Sequence, residues 1–115
     1  MWHGTKGNPS SLITEGEEGF DMRFARNGAE GSGNYFAYSS SYSAGGYKTN
    51  VGNGTFEVFY AHVLKGDSAP HVDGSRNKPP IKSGNIRFDS VDSPGTMLIV
   101  YSNLKAYPMY LVNFQ

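Results

Sequence analysis

Hydrophobic positions along the chain come in short bursts separated by glycines and polar turns, with no long periodic run. The strongest burst is TFEVFYAHVLKG, residues 55–66: β-branched and aromatic, bounded by Gly54 and Gly66, it predicts a strand. Shorter strands are predicted around IRFDSV (86–91), TMLIVYS (96–102) and MYLVNF (109–114). YFAYSSSYSAGGYK (35–48) begins as a brief strand and continues as a short helix over its serines, limited by Gly45-Gly46. NPSSLITEGEEG (8–19) places Asn8 and Pro9 where a helix opens, then an apolar patch and glycine stops, and predicts one or two helical turns. FDMRFARNGAEGSGN (20–34) reads as a loop pivoting on Asn27-Gly28 and Gly31-Ser32-Gly33. The Pro- and Gly-rich DSAPHVDGSRNKPPIKSG (67–84) reads as a second loop. The predicted architecture is α+β: a compact, β-rich domain, mostly antiparallel, with one or two short helices, spanning residues 1–115 as a single unit.

Composition changes this picture only where it removes chemistry. A chain of 115 residues buries one core. Ten basic against ten acidic residues give zero net charge, so no general attraction to nucleic acid or anionic membrane is expected. Cysteine is absent, which excludes disulfides, thiolate catalysis and sulfur-ligated zinc and fits an intracellular protein, cytoplasmic or nuclear. No apolar run approaches the ~20 residues of a membrane helix, and no basic-then-apolar leader is present.

Generic motifs give little. The lone Gly31-Ser32-Gly33 lacks the strand and long helix of a dinucleotide fold. His3, His62 and His71 have no metal-ligand spacing, so no metal is expected. A G-x-S-x-G elbow is missing, and Glu17-Glu18 reads as a solvated turn. Taken singly, Tyr35, Tyr42 and Tyr47 also have a reading as packing residues, Ser41 and Ser43 as residues that turn or cap a helix, and Arg23 and Arg26 as solvated charges.

Five segments in order alter that reading: WHGT (2–5), GFDMRF (19–24), GSGNYFAYSSSYS (31–43), FDSV (88–91) and IVYSNLKAYPMYLV (99–112). Together they resemble the catalytic domain of the poly(ADP-ribose) polymerase family of ADP-ribosyltransferases, over nearly the whole chain. The resemblance implies an ADP-ribosyltransferase fold that is N-terminally minimal, because only Met1 and Trp2 precede His3 where family domains carry a strand and a helix. Either the chain is a fragment, or it is a minimal version, or another segment or subunit covers the edge of the strand of His3, and Trp2 is expected to pack under the sheet. It also implies NAD as substrate. By resemblance His3 bonds the adenine-side ribose, Gly4 offers its backbone to the nicotinamide carboxamide, and Thr5 adds a hydroxyl near the ribose. Tyr35 stacks on the nicotinamide ring, Ser43 bonds the carboxamide, and Tyr47 is the second stacking residue. Residues 21–34 become a loop over NAD, with Arg23 or Arg26 on its diphosphate.

The family's catalytic glutamate falls, counting back from KAYP, on Met97. The catalytic set is therefore His3, Tyr35 and Met97, and methionine can neither accept a strong hydrogen bond nor offset charge. Members with an apolar residue here transfer one ADP-ribose unit or are inactive. The expected activity is mono-ADP-ribosylation, the alternatives being an NAD glycohydrolase, an inactive NAD- or ADP-ribose-binding module, and a structural β domain. The partners expected are NAD and an unidentified acceptor, nucleic acid entering only as acceptor, and no membrane.

Overall fold

A computed structural model describes residues 1–24, 27–28, 31–70, 77–93 and 95–115. In chain order the elements are β1 (Trp2–His3), α1 (Ser11–Thr14), a 3-10 turn (Met22–Phe24), β2 (Asn27–Gly28), β3 (Gly31–Ser32) and β4 (Asn34–Ala37). Then follow α2 (Ser40–Gly46), β5 (Thr49–Gly52), β6 (Thr55–Val63), β7 (Ser68–Pro70), β8 (Ile81–Ser83) and β9 (Ile86–Arg87). The last are β10 (Ser90–Ser93), β11 (Met97–Val100), a 3-10 turn (Asn103–Lys105) and β12 (Ala106–Phe114). The α+β, β-rich architecture expected from the sequence is the one observed.

One eight-stranded sheet runs β12-β6-β1-β4-β11-β10-β7, with β5 also paired to β6. Its pairings are antiparallel except β7 with β10. The two-residue β1 lies inside the sheet, Trp2 opposite Tyr60 on β6 and Ala37 on β4, His3 opposite Phe59. The strand of His3 thus has a neighbour on each side, and the segment that covers it opposite β4 is β6 of the same chain. Trp2 is half-buried, its ring edge-on to Tyr60 at 5.1 Å.

The β-branched and aromatic run of β6 explains its central place, because such side chains fit a half-buried pleated surface. One core cluster gathers Phe20, Phe36, Phe59, Ala61 and Val100, with Ile13 of α1 packed against it. Phe20 meets Phe36 at 5.0 Å and Phe59 at 5.6 Å, both edge-on, the arrangement the ring quadrupoles favour. A second cluster of Ala69, Val91 and Ile99 takes in Tyr35, Phe88, Met97 and Tyr101. Residues of β4 alternate between the two, so this strand carries side chains to both.

Three expectations change. The first helix starts at Ser11, later than Asn8-Pro9. Asn8 instead donates its N–H to the Thr5 carbonyl in a turn, and Ser10, at the cap position, gives its hydroxyl to Glu57 on β6 at 2.7 Å. Residues 20–34, read as loop, contain a 3-10 turn and the small hairpin β2–β3, with Asn27 opposite Ser32 and Gly28 opposite Gly31. Residues 67–84, also read as loop, contain β7 and β8. Pro70 is tolerated there because β7 is an edge strand, where a missing N–H breaks no ladder.

Candidate functional site

A cavity of about 400 Å³ opens where the end of β1, α1, the hairpin β2–β3, β4, α2 and β11 converge. His3, Gly4, Thr5, Tyr35, Ser43, Tyr47 and Met97 all line it, although they come from four separate stretches of chain. Its volume lies in the range of small-molecule sites.

The imidazole of His3 is pinned at the wall. Nδ1 lies 2.7 Å from the backbone oxygen of Tyr35. A carbonyl only accepts, so Nδ1 carries the proton and donates. Burial pushes the imidazole below its ordinary value, partly opposed by this bond, which keeps the ring neutral. Nε2 is then an acceptor, and it has no partner among the described residues. Rings of Phe20 and Phe36, at 5.1 and 5.2 Å, hold the imidazole in place.

The next residue is a glycine for a reason visible in the fold. A Cβ on Gly4 would stand 2.1 Å from the backbone oxygen of Tyr47 and 2.4 Å from its carbonyl carbon. The chain leaving β1 and the end of α2 are in backbone contact, and the N–H of Lys6 donates to the Tyr47 carbonyl at 2.9 Å. This contact carries α2, and Ser43 with it, to the cavity. Thr5 is less available than expected: its hydroxyl donates to the Asn8 carbonyl at 2.7 Å and is bonded to the Thr49 hydroxyl.

Ser43 is 3% exposed within α2. Its hydroxyl has no hydrogen-bond partner among the described residues. Buried hydroxyls are nearly always paired, so one aimed at a cavity is a vacancy for a ligand's polar group. Tyr35 donates its phenol to the Gly31 carbonyl at 2.7 Å. Gly28 lies so close to the ring tip that a Cβ there would be 2.7 Å from Cζ, so the hairpin covers that end. Burial pushes the Tyr35 phenol up to about 12, and it stays a neutral donor.

Tyr47 follows the last turn of α2, its N–H donating to the Ser43 carbonyl at 3.0 Å. Its ring stacks on Tyr42 at 5.5 Å and 19°, and the Lys6 ammonium sits 5.9 Å from its centre. Tyr42, which sequence alone leaves as packing, therefore shares the cavity wall. Met97 lines the cavity from the first position of β11, opposite Ala37.

Arg23 is placed away from the wall, on the outer side of Asp21, and pairs with it at 2.6 Å. Arg26 lies outside the described residues. Among the described residues, the charged side chains that do line the cavity are Lys6 and Asp21, neither singled out from the sequence. Asp21 sat in the GFDMRF segment, but nothing in its spacing distinguished it from a loop acid; Lys6, directly after Thr5, carried the only other signal. Among the described residues no group of three His, Asp or Glu side chains gathers as for a metal ion, and no helix is long and apolar enough to cross a membrane.

The chain also has relatives among known proteins. The chain is 34% identical over 117 aligned residues to a probable poly(ADP-ribose) polymerase of Dictyostelium discoideum, covering 100% of the chain and 33% of that protein. It is 30% identical over 124 aligned residues to the protein mono-ADP-ribosyltransferase PARP14 of Homo sapiens, covering 100% of the chain and 7% of that protein. No protein-family model matches. The chain thus resembles the catalytic domain of poly(ADP-ribose) polymerases along its whole length, and spans a third or less of these relatives.

Proposed function

We propose that residues 1–115 form an ADP-ribosyltransferase domain that binds NAD in this cavity and transfers a single ADP-ribose unit. The observation that carries the reading is the buried, unpartnered Ser43 hydroxyl in a cavity shared with Gly4, Tyr35 and neutral His3. The relatives named for ADP-ribosyl transfer support the same chemistry.

Each group has a use in that reaction. The Ser43 hydroxyl and the Gly4 backbone hold the nicotinamide carboxamide, Tyr35 lies against its ring, and Nε2 of His3 accepts a ribose hydroxyl. Held at both ends, NAD has its scissile bond fixed between them, and orientation alone removes much of the entropic barrier. The bond from C1′ to the nicotinamide nitrogen breaks, nicotinamide departs with the bonding pair, and its ring becomes neutral. An acceptor oxygen bonds to C1′; a carboxylate does so without losing a proton, and a hydroxyl or water releases its proton to solvent.

Met97 stands where the resemblance implies a glutamate. Its thioether is a weak acceptor and cannot offset the positive charge that develops on the sugar. Chain extension, which requires activating a second ribose hydroxyl, lacks its acceptor, and transfer stops at one unit. The same residue favours a second reading, an NAD-binding module without turnover. Incubation with NAD labelled in the adenylate part separates the two. Label on protein together with released nicotinamide supports transfer, whereas saturable thermal protection by NAD without nicotinamide release supports the module. Absence of any NAD-dependent rise in melting temperature overturns both.

A further inference from the structure

Asn34 carries a buried amide for which the reaction above has no use. It opens β4, is 6% exposed and lines the cavity. Its surroundings in the fold are apolar: it lies opposite Val100 on β11, and Val100 belongs to the same core cluster as Phe20 and Phe36. Nδ2 donates to the Phe20 carbonyl at 2.8 Å. A carbonyl only accepts, so this bond fixes which way the amide points, with nitrogen toward Phe20 and oxygen away from it. Oδ1 has no hydrogen-bond partner among the described residues. A buried amide oxygen left unpaired costs stability that an apolar side chain at the same place would not.

The cavity thus has on its wall an acceptor whose orientation is set by the backbone. Leu12, Ile13 and Phe24 line the same cavity. Phe24 lies on the 3-10 turn that follows Phe20, is 46% exposed, and packs on no other ring among the described residues. An apolar surface with one oriented polar group suits a flat heteroaromatic ring, which lays its faces on the apolar part and has one edge read by the polar group. Of the groups NAD presents, the carboxamide is already held by Gly4 and Ser43. Its phosphates only accept, and Oδ1 repels them. Its ribose hydroxyls donate or accept, so they require no acceptor of fixed orientation. The exocyclic amine of adenine donates. We propose that Oδ1 of Asn34 accepts a hydrogen bond from this amine, which makes Asn34 a specificity residue for the base of the dinucleotide. The proposal rests on the NAD-binding reading.

The test compares binding of NAD with binding of an NAD analogue that carries hydrogen in place of the adenine amine, by calorimetry and thermal shift. Loss of the donor leaves a buried acceptor unpaired, so the wild type is expected to bind the analogue at least about fivefold more weakly. In Asn34→Leu, close in size and without polar atoms, NAD is expected to weaken to the level of the analogue, so that the two bind alike. Asn34→Ala replaces the leucine variant if that one does not melt cooperatively. A residue that only pins the Phe20 carbonyl would lower both affinities together and leave their ratio as it was. Equal binding of NAD and analogue by the wild type, or an unchanged ratio in the variant, overturns the role of Asn34 and leaves the NAD reading standing. No binding of NAD by the wild type overturns both.

Discussion

Replacing Ser43 with alanine separates fold from function, because the structure gives the two effects opposite signs. The hydroxyl is 3% exposed and has no partner among the described residues. An unsatisfied buried polar group costs about 1–3 kcal/mol. Removing it relieves that cost, leaves a gap of one oxygen atom, and gains about 0.5 kcal/mol of helix propensity inside α2. Allowing for the gap, Ser43→Ala is expected to stabilise the free protein by about 1 kcal/mol. For a domain of this size that is roughly 3–5 °C in Tm, read by calorimetry without ligand. The bound state behaves the other way. Ser43 then donates or accepts one neutral hydrogen bond, worth about 0.5–1.5 kcal/mol, so Kd for NAD should rise about 2- to 12-fold. A fall in Tm of more than about 2 °C would show that the hydroxyl has an internal partner, and the vacancy argument fails. Unchanged NAD affinity beside a raised Tm would remove Ser43 from the ligand.

Three further outcomes follow from the same geometry. Gly4→Ala drives a Cβ to 2.1 Å from the Tyr47 carbonyl oxygen, and both sides of the contact are backbone. Overpacking together with loss of the Lys6–Tyr47 bond should cost about 2–4 kcal/mol, and a melting temperature within about 2 °C of wild type would refute it. His3 has a depressed value when folded, so the stability it confers is present above the ordinary 6.5 and lost as pH falls through the lower folded value. Melting scans from neutral to acidic pH should show this loss in wild type and not in His3→Gln, and NAD affinity should decline over the same interval. Asp21 and Asp89, both depressed, lose their contributions only further down, below about 3.8. Met97→Glu should raise nicotinamide release at least tenfold, measured by chromatography; no gain would place Met97 away from the scissile bond.

Much of the fold could be read because it depends on local signals. β6 is bounded by glycines and built of strand-forming residues, and the turn from β4 into α2 is written in its serines, Ser39 accepting from the N–H of Ser41 as a cap. What could not be read depends on partners far away in sequence. Ser10 fails to cap α1 because Glu57, 47 residues on, takes its hydroxyl. Asn8-Pro9 is a good helix opening that a Thr5 turn uses for something else. The hairpin β2–β3 is held against Tyr35, whose phenol donates to the Gly31 carbonyl and whose ring tip abuts Gly28, and its glycines report only that tight packing is possible there. In the site, residue identities were legible through the resemblance and their couplings were not. Tyr42 and Tyr47 are five positions apart, yet stacking them requires the turn that ends α2, and Gly4 is small because of Tyr47 rather than for a ligand alone.

The charge inventory of the cavity has a consequence for the proposed reaction. Among the described residues its lining supplies one cation, Lys6, and one anion, Asp21, and the anion is already paired with Arg23. A carboxylate so neutralised remains a good hydrogen-bond acceptor, but it projects little field toward a distant carbon. Positive charge growing at C1′ is then offset by the diphosphate of NAD itself and by whatever the acceptor brings. An acceptor carrying a carboxylate supplies in one group the nucleophile and the missing charge, and water supplies neither. Transfer to acidic acceptors should therefore outrun hydrolysis, and Met97→Glu should narrow that gap chiefly by speeding hydrolysis, since it restores to the protein what the acidic acceptor otherwise provides.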